Sequence, residues 1–74
     1  MKYTAQYTKI DSGYMGQLVE WPEVITEGSS LENCREMLRD AFKQMIIAHR
    51  ELGIEIPSNE VFFEKIEMEP NYVG

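Results

Sequence analysis

A single cysteine, Cys34, rules out an intrachain disulfide, and a single histidine, His49, leaves no Cys/His spacing from which to build a zinc site. That usage fits a reducing compartment. Bases are also scarce, with seven Lys and Arg against thirteen Asp and Glu and a net charge of −6. Such a surface repels phosphate backbones, so direct nucleic-acid binding is not expected. No stretch approaches the roughly 20 apolar residues of a membrane span. Met1-Lys2-Tyr3-Thr4 has no apolar run behind it, so no signal peptide is read and the expected location is the cytoplasm. There is no G-x-G-x-x-G phosphate loop, no internal repeat and no low-complexity segment.

What the sequence does hold is ordinary globular material, 43% hydrophobic and 27% charged. Its 74 residues suffice for one core and not two. We therefore expect a single domain over residues 1–70 and a loose tail over 71–74. The acid is uneven: residues 50–74 carry six acids and two bases. A basic protein is the complementary partner.

Lys2 to Ile10 alternates Tyr3, Ala5 and Tyr7 with Thr4, Gln6 and Thr8, the period of a strand. Asp11-Ser12-Gly13 reads as a turn, and Tyr14 to Trp21 as a second strand completing a hairpin. Gly16 inside that strand signals close approach of a large neighbour, for which the helix is the candidate. Pro22 cannot donate to a ladder and stops the strand, and Glu23 to Thr26 forms a short third one. Ser29 and Ser30 both offer hydroxyls to the first-turn amides, and Ser29 with Glu32 matches the S-x-x-E capping box at the start of a long helix that Gly53 ends. Leu31, Cys34, Leu38, Ala41, Phe42, Met45, His49 and Leu52 make its apolar stripe. Glu32 with Arg35, Glu36 with Arg39 and Asp40 with Lys43 make its solvated face. Val61 to Met68 reads as a last strand, with Phe62, Ile66 and Met68 on one side. The expected fold is α+β, in the order β-β-β-α-β, a mainly antiparallel sheet with one long helix on one face.

Few residues carry chemistry. His49 is the natural candidate for acid-base work, but it lies in the last helical turns with no local Ser or Cys partner. Cys34 lies on the apolar stripe, where a thiol acts as a small hydrophobe. Asp11, Glu20, Glu23, Glu27 and Asp40 have no ligand spacing and read as a solvated acidic edge. No catalytic residue, metal site or cofactor is expected. Trp21, beside Pro22 and flanked by Glu20 and Glu23, has the composition of an exposed binding anchor with an acidic rim, and equally of a cap on the core. The candidate partner interface is Glu20, Trp21, Glu23 and Glu27.

Gly13-Tyr14-Met15-Gly16, then Glu20-Trp21-Pro22-Glu23-Val24-Ile25-Thr26-Glu27-Gly28, then Ser29-Ser30-Leu31-Glu32-Asn33-Cys34 resemble the pattern of the HicB antitoxin family. The resemblance covers nearly the whole chain in order. Pro22-Glu23-Val24 stands where the family has Pro-Gly-Cys, Glu27 where it has Gln, Ser29-Ser30 where it has Asp-Thr, and Cys34 where it has Ala. The resemblance implies a truncated RNase H-like fold in the order already read. It also implies a type II toxin-antitoxin role: binding a HicA-type toxin, a small basic RNase that cleaves messenger RNA, and occluding its active site. The family's C-terminal DNA-binding module is not expected, which makes this a short form. Two other readings stand beside it. One is an orphan oligomeric interaction module without a toxin; the other is a weak metal-dependent nuclease on the same scaffold. A homo-oligomer is expected in each case, because one sheet face and an edge strand stay open.

Overall fold

The computed structural model describes residues 1–58 and 62–72. Three strands, β1 (Ala5–Ile10), β2 (Gly13–Leu18) and β3 (Ile25–Gly28), are followed by one helix, α1 (Leu31–Leu52), and a short 3₁₀ turn at Pro70–Tyr72. The strands lie in the order β1-β2-β3, both pairs antiparallel. Asp11 and Ser12 form the two-residue connection of the hairpin, which Ile10 and Gly13 close. The register puts Ala5, Tyr7, Lys9, Tyr14, Gly16, Leu18, Thr26 and Gly28 on one face. Gln6, Thr8, Ile10, Met15, Gln17, Ile25 and Glu27 share the other. The three-strand and helix layout is a small α+β fold, as the periodicity indicates.

The second and third strands are joined by a turn rather than by an early strand start. The amide of Val24 donates to the carbonyl of Trp21 at 3.0 Å, with Pro22 at the second position of the turn, where its fixed φ fits. Among the described residues no non-glycine has positive φ, so Glu23 sits in a turn that needs no glycine. This is how the chain dispenses with the glycine that the resembling family carries there. Consequently β3 begins at Ile25, two residues later than the sequence reading places it.

The helix starts from Ser30, not Ser29. The Ser30 hydroxyl accepts from the amide of Asn33 at 3.0 Å, and the Asn33 side-chain oxygen accepts from the amide of Ser29 at 3.0 Å. Asn33 thus does what Glu32 was expected to do, because it lies three residues after the true cap. At the far end Gly53 has φ 68°, its amide donates to Arg50 O, and the amide of Ile54 donates to His49 O. These are the two bonds of a Schellman motif. Between the caps, 22 residues span about 33 Å.

The core is small. Leu18, Trp21, Val24 and Leu38 are buried together, with Tyr3, Tyr7, Ala41, Phe42, Met45, Ile46 and Ile56 packed around them. The stripe read from the sequence therefore faces the sheet as far as His49, but Leu52 is 72% exposed because the sheet does not extend beneath the last turn. Helix α1 packs mainly on β3 and β2. After it the chain turns back, and the Tyr3 hydroxyl donates to the carbonyl of Pro57.

The expected last strand is not found. Phe62 to Glu69 is neither strand nor helix and is exposed throughout, while Val61 lies outside the described residues. The alternation there is real, but no neighbouring edge pairs with it. Of the expected tail over 71–74, Asn71 and Tyr72 belong to the 3₁₀ turn, and Val73 and Gly74 lie outside the described residues.

Candidate partner interface

Trp21 is not an exposed anchor. It is 2% exposed, with its ring edge-on to Phe42 at 6.3 Å and to His49 at 4.8 Å, and tilted against Tyr3 at 6.3 Å. The turn that puts Pro22 and Glu23 in solvent directs the indole inward, against the last turns of α1. A tryptophan adjoining a proline at a strand end looks identical in sequence whether it points in or out. The signal for burial was the helix stripe, whose Phe42 and His49 needed a large partner at that end.

The other three candidates divide. Glu20 is half-buried and turned back onto the chain, its two carboxylate oxygens accepting from the Thr4 amide and the Thr4 hydroxyl, each at 2.6 Å. The Thr4 hydroxyl, then its amide, hold the Glu20 carboxyl below the ordinary carboxylate range, against a small opposing effect of burial. Its role is to tie the start of β1 to the end of β2. Glu23 and Glu27 are exposed. Glu27 shares the helix-free face of the sheet with Ile25, which is 47% exposed, and with Met15 and Gln17. The Gln17 side-chain amide donates to the carbonyl of Pro22 at 2.9 Å, fixing the turn that carries Glu23 to the same end of the molecule.

Without the tryptophan, what remains on this side of the sheet is a mixed acidic and apolar surface. It consists of Glu23 in the turn, Ile25 and Glu27 on the four-residue edge strand β3, and Met15 beside them on the central strand β2. Sequence reasoning missed Ile25 and Met15, although the period of two already placed both opposite the helix-facing set. Such a mixture of apolar centre and acidic rim suits a basic partner, because like-charged surfaces are rejected at the rim.

The residues with potential for chemistry are otherwise engaged. Cys34 is wholly buried, and His49 Nδ1 lies 3.1 Å from the carbonyl of Met45. Among the described residues no group of three or more His, Cys, Asp or Glu side chains is placed to hold a metal ion. No helix in them is long and apolar enough to cross a membrane.

Neither the curated proteins nor the solved structures gave a match to this sequence. A family model did, described as UPF0150-like and matching residues 2–57. That span holds all three strands, the capped helix and the return of the chain to Tyr3, so the match covers the whole packed core. The chain belongs to the UPF0150-like family.

Proposed function

We propose that this chain is an antitoxin-like protein of the HicB kind, which binds a small basic HicA-type RNase and occludes its active site by protein-protein contact. The observation that carries the reading is the UPF0150-like match over residues 2–57, a family associated with toxin-antitoxin systems. The net charge of −6 supports it, since opposite charge steers a basic partner and carboxylates substitute for the phosphates such a partner grips. The contact surface in this reading is Glu23, Glu27, Ile25 and Met15. The chain itself performs no catalysis, with Cys34 and His49 serving the core, and it acts in the cytoplasm.

The test is co-expression with a small basic HicA-type RNase, taken from beside this chain's gene where one is encoded there, followed by pull-down. Rescue of growth and a stable complex are expected. Charge reversal at Glu23→Lys with Glu27→Lys should weaken that complex about tenfold or more, with unchanged folding. Absence of a complex with the unaltered chain would sink the proposal. It would then favour the orphan oligomeric module, for which the exposed apolar segment after the helix is the supporting observation.

A further inference from the structure

We propose that Phe62–Met68 is a strand donated to a second copy of this chain, where it pairs along the free edge of β1. The inference does not depend on the toxin reading. Four large apolar side chains, Phe62, Phe63, Ile66 and Met68, lie between 64% and 87% exposed in one segment. The Cα radius of gyration is 15.7 Å, against about 11 Å for a compact chain of this length. An apolar, strand-patterned segment standing off its own core is what a soluble monomer avoids.

The same chain also carries the complementary feature. The amide of Val19 donates to the carbonyl of Thr4 at 2.9 Å, which sets the alternation of the β1–β2 ladder. Thr4, Gln6, Thr8 and Ile10 turn their backbone groups toward β2, so those of Ala5, Tyr7 and Lys9 point out of the sheet. Helix α1 lies mainly over β3 and β2, and Ala5 is exposed although it sits on the helix side. An added strand would find both unpaired backbone groups and uncovered surface there.

Charge chooses between the two edges. Residues 1–10 contain Lys2 and Lys9 and no acid, whereas residues 62–69 contain Glu64, Glu67 and Glu69 against Lys65. The other edge, β3, is flanked by Glu23 and Glu27 and would repel an acidic strand. Placing Phe62, Ile66 and Met68 on the helix side, next to Ala5 and Tyr7, buries three of the four apolar side chains together with the Glu64 position, and leaves Phe63, Lys65 and Glu67 on the other face. Reciprocal exchange doubles the gain, because each copy gives one strand and receives one. Two phenylalanines at roughly 150–250 Å² each, with two isoleucines and two methionines, bring the buried area to on the order of 1,000 Å², where specific interfaces begin.

The test uses the full chain. Sedimentation velocity over a broad concentration range should give a species of two 8.6 kDa chains. Ile66→Pro, at an exposed position, removes one ladder donor and should weaken self-association about tenfold or more while the helical circular dichroism signal at about 222 nm stays unchanged. Isotope-filtered NOE spectra of mixed labelled and unlabelled chains should connect Phe62 and Ile66 of one copy to Ala5 and Tyr7 of the other. A monomer at all concentrations, a dimer indifferent to Ile66→Pro, or NOEs confined to single chains would overturn the proposal. The last of these would mean that the segment closes on its own sheet, and the first would leave it for a different protein.

Discussion

At the scale of single residues, the closest fit in the molecule is where β2 passes beneath α1. A Cβ on Gly16 would stand 2.9 Å from Cys34 Sγ and 3.2 Å from the Tyr7 ring. Glycine is present because the thiol and the phenol ring already fill the space, which is also why Cys34 is a packing residue. Gly16→Ala should cost about 1–3 kcal/mol by overpacking, read by urea unfolding. Cys34→Ala removes one of the two colliding groups, so the double variant should lose less than the sum of the singles, and strict additivity would refute the contact. Gly28 is less forgiving, since a Cβ there would meet the backbone of Cys34 at 2.5 Å, which no rotamer change relieves. Glu20 gives a pH prediction. Its folded-state pKa is lowered by Thr4, so it stabilises the fold above the ordinary carboxylate pKa, and that contribution is lost as pH falls through the lowered value. Thr4→Val removes the hydroxyl donor. It should move the Glu20 carboxyl back toward its ordinary value in an NMR titration and shift acid unfolding to higher pH.

At the scale of elements, α1 is held at both ends by local chemistry and along its length by aromatic packing. Ser30→Ala should cost about 1 kcal/mol through the lost cap, whereas Glu32→Gln should change stability little. Thermal melts of the two variants check this, and a larger effect at Glu32 would reinstate the Ser29–Glu32 box. Trp21→Ala should cost about 3–5 kcal/mol, because the indole is buried against Tyr3, Phe42 and His49. A variant that kept full stability and lost only partner binding would return Trp21 to the surface role its sequence context suggests. Helix and sheet are thus joined by the glycine-thiol contact near the N-terminal end of α1, by Leu38 buried with Leu18 and Val24, and by the aromatic cluster from Phe42 to His49.

At the scale of the whole molecule, four buried residues and a ring of half-buried ones form the core, all between Tyr3 and Ile56. A chain ended after Ser58 should therefore keep its helix content by circular dichroism. Its melting temperature should not depend on protein concentration, whereas that of the full chain should rise with concentration as mass action favours the paired state. Loss of the fold on truncation would show that residues after Ser58 belong to the core. The distribution of charge separates the two proposed surfaces: acids flank the β3 edge, the one proposed for a basic partner, and lysines flank the β1 edge, the one proposed for the acidic segment of a second copy.

Much of this was legible in the residues themselves. Period two and period 3.6 located three strands and the helix because those repeats are the direct imprint of burying one face. Gly16 and Gly53 were readable because close approach and a left-handed cap leave few other choices. The true cap was harder, since Ser29 and Ser30 are both competent and only the register of Asn33 selects between them. What tertiary structure alone decided was direction and pairing. Trp21 points into the core because the turn at Pro22 and Glu23 aims it at Phe42 and His49. Phe62 to Met68 has the alternation of a strand yet pairs with no strand among the described residues of its own chain. A pattern of side chains specifies which face must be covered, but a ladder also needs an edge within reach to supply its hydrogen bonds.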